Sequence, residues 1–260
     1  MDRASGSARG RTGWVMVLTV LLLVGVVTFA VTANSWKHDF RVLRVRTSGN
    51  SLLADSDIVR MAAIPKGGKL FDLDLNAARL RVQQSPFIRN VSVVREIPDG
   101  ILIAVAERKP VAALVLDRIF YLDAEGYVLP PVRSGVVLDL PVLTGDWPAA
   151  HCVPGERIKS QRLREALEVL ITAGRIGDDL YHLISEVHCA GDSTLILFTA
   201  ESGVPVVVGR GDIVMKLVKF DGFWKQIVNQ RGAARLKTVD LRFADQVVAR
   251  WDEERGVPAQ

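Results

Sequence analysis

Side chains equipped for chemistry are few in this chain, and each has a structural use that competes with the chemical one. Asp72 and Asp74, in Phe71-Asp72-Leu73-Asp74-Leu75, could act as paired carboxylates for proton transfer or cation binding. Apolar residues alternate with them and a helical pattern follows, so both are better placed in a first turn, where acidic groups complement the helix dipole. Gly209-Arg210-Gly211 lies between an apolar run and a helical pattern, the setting of a phosphate-binding turn. A third glycine is missing, since position 214 is Val214, and Asp212 would set a carboxylate against the phosphate. Asp212 as the N-cap of a structural helix is the better reading.

The two cysteines each follow a histidine, in His151-Cys152 and His188-Cys189. No tight Cys-x-x-Cys or His-x-x-x-His spacing offers two zinc ligands from one element, so a disulfide or two separate thiols stay open instead. None of the four histidines sits in a motif that would orient it beside a nucleophile. Gly-x-Ser-x-Gly, His-Glu-x-x-His and Gly-x-x-x-x-Gly-Lys runs are also missing. No catalytic residue, metal, cofactor or small-molecule substrate is therefore expected, and the chain reads as a binding protein.

The strongest binding feature is the closing apolar run Gln246, Val247, Val248, Ala249, Arg250, Trp251. As the last strand of its domain it is expected at a sheet edge, where unpaired backbone donors and acceptors can meet a partner strand. Phe243 and Trp251 stand at either end as aromatic anchors. The competing reading packs both rings into the domain's own core.

Two folded modules must position that run, and together they read as α+β. From residue 40 to 107 the order is strand, helix, helix, strand, strand. Val42, Val45 and Thr47 open a strand and Gly49-Asn50 breaks it; a short helix covers 55–63, with Ser56 or Asp55 at its N-cap; a second covers 75–84. A hairpin turns at Pro98-Asp99-Gly100. Two helices on one face of a three-stranded sheet is the simplest packing for that order. The second part is strand-rich: strands at 114–116, 120–122, 127–129, 184–188, 194–198, 204–208, 238–243 and 246–251, with amphipathic helices at 162–173 and 212–228.

Residues 12–36 contain no ionisable side chain. As a helix they measure about 37 Å, against about 30 Å of hydrocarbon, so they can span a bilayer with some tilt. Trp14 and Trp36 mark its two interfaces. The run is too long for a signal-peptide core. Arg3, Arg9 and Arg11 precede it and Lys37, Arg41, Arg44 and Arg46 follow, so charge alone does not orient it; a short tail before one span and a large domain after it suits an uncleaved anchor with an exported C-terminus. The net charge of +4 arises from 33 basic and 29 acidic residues spread through the chain, with no basic stripe for nucleic acid.

Particular residues carry a family resemblance. Val45-Arg46-Thr47-Ser48-Gly49-Asn50, Ile58, Leu70-Phe71-Asp72-Leu73-Asp74, Pro86-Phe87-Ile88, Val91, Val93, Arg95, Ile97-Pro98 and Val105-Ala106-Glu107-Arg108-Lys109-Pro110-Val111-Ala112 resemble a POTRA domain, specifically that of the FtsQ/DivIB cell-division family. Tyr121-Leu122-Asp123-Ala124-Glu125-Gly126 and Val239-Asp240-Leu241-Arg242-Phe243 continue the likeness. Phe243 stands where the family more often has Tyr, Gln246 where Gly is frequent, and Ala190-Gly191-Asp192 where an arginine pair is usual. One anchor, one POTRA-like module and a strand-rich domain too small for a porin-type barrel favour this family over other POTRA proteins.

The resemblance implies a cytoplasmic tail at 1–11, a transmembrane helix at 12–36, a POTRA domain at 40–108, an FtsQ-type β domain at 109–251 and a polar tail at 252–260. It further implies a non-enzymatic divisome scaffold, a single-pass type II protein of the inner membrane with its bulk periplasmic at the septum. FtsB and FtsL type partners are implied, with strand addition at Phe243 and at Gln246, Val247, Val248, Ala249, Arg250 and Trp251. A POTRA-bearing chaperone or secretion component and an anchored cell-wall hydrolase are the rival readings.

Overall fold

The computed structural model describes residues 8–132, 138–191 and 194–252, with backbone alone over 8–13 and 33–39. The tail before residue 8, the polar tail after 252, Asp192, and the side chains of Trp36 and Lys37 lie outside the described residues. Residues 8–11, expected in the tail, already belong to the first helix, α1 (Ala8–Asp39). Within it, Trp14–Thr32 is long and apolar enough to cross a membrane. Its hydroxyls do not demand water: Thr28 Oγ1 donates to the Val24 carbonyl at 2.7 Å and Thr32 Oγ1 to Thr28 at 2.8 Å. Such back-bonding lets threonine sit in hydrocarbon without an unsatisfied donor.

The chain then divides into two compact units. The first holds β1 (Arg44–Ser48), α2 (Asp55–Ala62), α3 (Leu75–Gln83), β2 (Ile88–Glu96) and β3 (Gly100–Glu107) in the expected order. The sheet runs β1-β3-β2, with β1 parallel to β3 because two helices carry the chain across before it returns. Ile58, Ala62, Ala78 and Val82 from the helices meet Val91, Ile101 and Ile103 from the sheet in a closed core. Asp74 caps α3 from just before it, accepting the Ala77 N–H at 2.9 Å; α3 starts at Leu75, so neither Asp72 nor Asp74 lies in the first turn where both are expected.

The expected cap of α2 is corrected. Ala54 holds the N-cap position with no side-chain bond, and Asp55 instead accepts from Thr47 Oγ1 and Asn50 Nδ2, both at 2.7 Å. Those two hydrogen bonds hold its carboxyl below the ordinary range. Gly49 between them is obligatory, since at φ 82° a Cβ would fall 2.1 Å from the Val105 carbonyl oxygen. Arg95 on β2 clamps the turn before α3, donating to the carbonyls of Leu70 at 2.9 Å and Leu73 at 2.8 Å.

The second unit contains β4 (Pro110–Val115), β5 (Ile119–Asp123), β6 (Val128–Leu129), β7 (Val142–Gly145), α4 (Gln161–Ile176), α5 (Asp178–Leu183), β8 (Ile184–Cys189), β9 (Leu195–Thr199), β10 (Pro205–Val207), α6 (Ile213–Phe223), β11 (Leu236–Asp240) and β12 (Val248–Trp251). One mixed sheet joins them in the order β12-β11-β10-β9-β8-β7-β4-β5-β6. Leu114, Leu122, Leu143, Val187, Leu197 and Val206 are buried from alternate strand positions, in one core with Leu163 and Leu170 of α4 and Phe220 of α6. Ser160 caps α4 by accepting from the Leu163 N–H at 3.4 Å. Cys152 and Cys189 are buried thiols, not a disulfide.

Four departures from expectation have local causes. β7 follows Pro141 and is too short to show a period, and α5 is a six-residue turn of helix; neither is legible as a pattern. The helix expected through 228 is α6 only to Phe223 and widens to a π turn over Trp224–Val228. Asp212 does stand at the α6 N-cap position, but in the left-handed region at φ 47° with no capping bond. The closing hairpin is not two strands separated by residues 244–245: β11 stops at Asp240 and β12 begins at Val248. Gln246 and Val247 therefore precede the strand rather than lie in it.

Arg108 ties β4 to the turn after β5. Its guanidinium donates to Asp123 at 2.7 Å and Glu125 at 3.3 Å and lies 3.5 Å from the Tyr127 ring centroid, with its side chain only 10% exposed. Asp123 uses its other oxygen to accept the N–H groups of Glu125 and Tyr127, at 2.9 and 2.8 Å. Removing the cation leaves a buried carboxylate held by two amides, so Arg108→Ala is expected to cost the second unit about 3 kcal/mol. Chemical denaturation of this variant checks it, and a loss well under 1 kcal/mol would mean that water solvates Asp123 unaided.

Candidate partner-binding edge

β12 ends the sheet: among the described residues its only strand neighbour is β11. The two run antiparallel, pairing Asp240 with Val248, Val239 with Ala249, Thr238 with Arg250 and Leu236 with Trp251, with an irregularity between Leu236 and Thr238. Beyond the strand, the Asp252 N–H reaches back to the Arg235 carbonyl at 2.9 Å. Since successive amides of a strand point to opposite sides, those of Val248 and Arg250 share that direction, toward β11. The amides of Ala249 and Trp251 face away from the sheet.

The side chains alternate as well. Ala249 and Trp251 pack against the domain core, while Arg250 is exposed on the other face. Trp251 is half-buried, with the Arg231 guanidinium 5.8 Å from its ring centroid. The two aromatics thus divide: Trp251 is partly core, whereas Phe243, in the connection before β12, is 46% exposed. Val247 also leans on the core, and Gln246 is exposed. The seven candidate residues lie within one stretch of connection and edge, interrupted only by Ala244 and Asp245, and of them only Val248, Ala249, Arg250 and Trp251 are strand.

The connection is held at several points. Asp240 accepts the Arg242 backbone N–H at 3.0 Å and its guanidinium at 2.6 Å, an Asx turn that ends β11 three residues sooner than the apolar pattern suggests. Leu241 is buried and donates its N–H to the Val207 carbonyl at 2.8 Å. The Lys219 ammonium on α6 donates to the Ala244 carbonyl. At the far end Lys237 pairs with Asp252 at 2.5 Å. Gly209 has its reason here too: at φ 67° a Cβ would meet Arg242 Cγ at 2.8 Å, so the glycine lets that side chain pass.

A feature missed from the sequence lies on α6. Val214, Met215 and Val218 on α6 are 55%, 49% and 45% exposed, and Lys219 of the same helix reaches the connection that carries Phe243. Positions 214, 215 and 218 share one side of the helix. The available signal was that apolar residues of α6 occupy more of its circumference than a single buried stripe requires. A concavity of about 290 Å³ elsewhere in the unit is lined by Glu125, Arg157, Arg164 and Glu168. Its Glu125 is tied to Arg108 and Arg89, a poor start for acid–base work.

Comparison with known proteins matches residues 40–108 to the family described as POTRA domain, FtsQ-type, and residues 109–250 to FtsQ/DivIB, C-terminal related. The chain belongs to the FtsQ/DivIB family. The cell division protein FtsQ of Rhodothermus marinus is 35% identical, over 88% of this chain and 85% of that protein. FtsQ of Geotalea daltonii is 30% identical over 81% and 76%, and FtsQ of Myxococcus fulvus 34% over 78% and 70%. FtsQ membership places the chain in the bacterial division machinery, with one helix among the described residues suited to anchor it in a membrane. The motif stretches that suggested the family also meet in space, since Arg108 of one bonds Asp123 of the other.

The Asp240–Arg242 pair gives the edge a pH dependence. Hydrogen bonding from Arg242 holds the Asp240 carboxyl below its usual range. A lowered folded-state pKa contributes stability that is fully present above the unfolded value of about 3.9 and is lost as pH falls through the folded one. Asp240→Asn is therefore expected to cost about 1 kcal/mol or less near neutrality. The gap should close in acid, where wild type is protonated too. Denaturation of both chains across that range checks it; a gap that does not vary with pH would assign Asp240 to turn geometry alone.

Proposed function

We propose that this protein is a non-enzymatic scaffold of the divisome, joining early and late division proteins at the septum through binding outside the cytoplasm. Its partners are of the FtsB and FtsL type, and the β12 edge receives a strand from the FtsB-type partner. Phe243, Gln246, Val247, Val248, Ala249, Arg250 and Trp251 form the contact. The single observation that carries this reading is that β12 stands at the open end of a nine-stranded sheet, with the exposed Phe243 in the connection that leads into it.

The chemistry is that of strand addition. Outward N–H and C=O groups supply affinity that does not depend on the partner's sequence, while flanking side chains supply specificity. Phe243 offers an exposed aromatic anchor beside the strand, and Val214, Met215 and Val218 add an exposed apolar face on α6, the helix whose Lys219 reaches the same connection. A partner that continues from its strand into an apolar helical face would cover both. With both folded units on the C-terminal side of α1, a type II arrangement in the inner membrane would carry them together outside the cytoplasm.

Amide direction supplies the test. Ala249→Pro removes an outward donor and leaves the ladder to β11 intact, whereas Val248→Pro removes an inward one. In co-purification from solubilised membranes, Ala249→Pro is expected to weaken capture of the FtsB-type partner about tenfold, the equivalent of one lost hydrogen bond, while thermal stability stays near wild type. Val248→Pro is expected to lower stability itself. Undiminished capture by a folded Ala249→Pro chain would refute docking on this edge.

A further inference from the structure

Outside α1, the two most exposed large hydrophobic side chains among the described residues are Ile97 at 69% and Leu43 at 66%. The large apolar residues of the membrane span are themselves 51–75% exposed, so these two are presented to their surroundings as fully as lipid-facing ones. Both sit at one end of the first unit's sheet. The N–H groups of Leu43 and Arg44 donate to the Asp99 carbonyl at 2.9 and 3.1 Å, and Arg44 pairs with the Asp99 carboxylate at 2.6 Å. The residues ahead of β1 are thereby bound to the β2–β3 turn that carries Ile97.

That end is also the tethered one. α1 stops at Asp39, and four residues of chain reach at most about 14 Å, so Leu43 cannot lie far from the end of the helix. From Thr32, where the apolar window closes, the helix climbs only about 10 Å more, against headgroup layers of roughly 5–8 Å on each side of the bilayer. Cations ring the same end. Arg41, Lys66 and Lys69 are exposed; Arg41 bonds the Gly67 carbonyl at 3.0 Å and is bridged to Lys69 through the backbone. Of the acidic groups nearby, Asp99 and Glu96 are paired with Arg44 and Arg46, and Asp72 lies 3.9 Å from the Lys69 ammonium in an exposed pair that leaves the cation open to a headgroup as well.

We propose that this end of the POTRA unit is a membrane-contact surface: Leu43 and Ile97 enter the interface of the leaflet from which α1 emerges, and Arg41, Lys66 and Lys69 meet anionic lipid headgroups. Apolar side chains with a cationic rim are the combination that holds a peripheral surface on an anionic bilayer. Two anchoring points, the span and this patch, would limit how freely the unit tilts about its tether. The proposal rests on α1 spanning the membrane, and its test separates the two.

The full chain is reconstituted in vesicles of phosphatidylcholine and phosphatidylglycerol, carrying an environment-sensitive fluorophore on a single introduced cysteine. Ile97→Cys reports the patch, Val24→Cys the span, and Asn90→Cys the opposite end of β2, about 23 Å away along the strand. Cys152 and Cys189 are buried, and wild type labelled in parallel sets the background. Quenching by lipids bearing a nitroxide near the headgroup is expected to be several-fold stronger at Ile97 than at Asn90, and to fall with Lys66→Glu. Equal quenching at Ile97 and Asn90, with Val24 shielded from aqueous iodide, overturns the patch and leaves the span standing. A Val24 probe open to iodide overturns the span itself, and the patch with it. Shielding of Ile97 from iodide without quenching by lipid means protein covers it, such as a second copy, and overturns the lipid assignment.

Discussion

An open sheet must end somewhere, and the strand at its end keeps half of its backbone hydrogen-bonding capacity turned away from the fold. In this protein that constraint falls on β12, and the surrounding structure is arranged about it. The strand's inner side chains, Ala249 and Trp251, are committed to the core, so β12 is fixed in register and cannot slide to satisfy its own outer edge. The Asx turn at Asp240, the buried Leu241 and the lysine hold from α6 fix the chain that leads into it. An edge pinned in this way would present donors and acceptors already spaced for the proposed partner strand, which would lower the ordering cost of binding.

The rest of the chain is held by comparable local ties. α1 satisfies its threonine hydroxyls internally, as a helix in hydrocarbon must. The POTRA unit follows at once, its helices tied to its sheet by Arg95, whose guanidinium gathers the carbonyls of a turn that has no regular structure of its own. Arg108 does similar work in the second unit, converting a β5–β6 turn with a buried carboxylate into a neutral, fully bonded corner. Both arginines lie in the stretches by which the family is recognised, and both are bonded mainly to protein groups rather than offered to a ligand.

Much of the POTRA unit was legible from residues alone. Its helices carry short amphipathic stripes, its hairpin has a turn of unmistakable composition, and Asp74 caps the helix that its position announces. The second unit was less legible where the signal is short. β7 spans four residues behind a proline, and no period can be read from four positions. Asp212 holds its expected N-cap position without a capping bond, while the cap assigned to Asp55 failed because a carboxylate near a helix start has other donors within reach, and sequence does not say which it takes. Asp55 took Thr47 and Asn50.

For the candidate site, sequence determined the identity of the segment. An apolar run bounded by Phe243 and Trp251 had to be strand-like and close to a surface or a core, and the family residues around Val239 and Arg242 marked its kinship. Tertiary structure decided what that run became. The strand begins at Val248 because Asp240 bends the preceding chain by bonding Arg242, a contact between neighbours that hydrophobic pattern does not encode. β12 is an edge because eight other strands order themselves on one side of it, and that order depends on long-range pairing. The exposed stripe on α6 likewise arises from packing. Local periodicity fixes which residues share a face, but only the complete set of competing contacts determines which face is left uncovered.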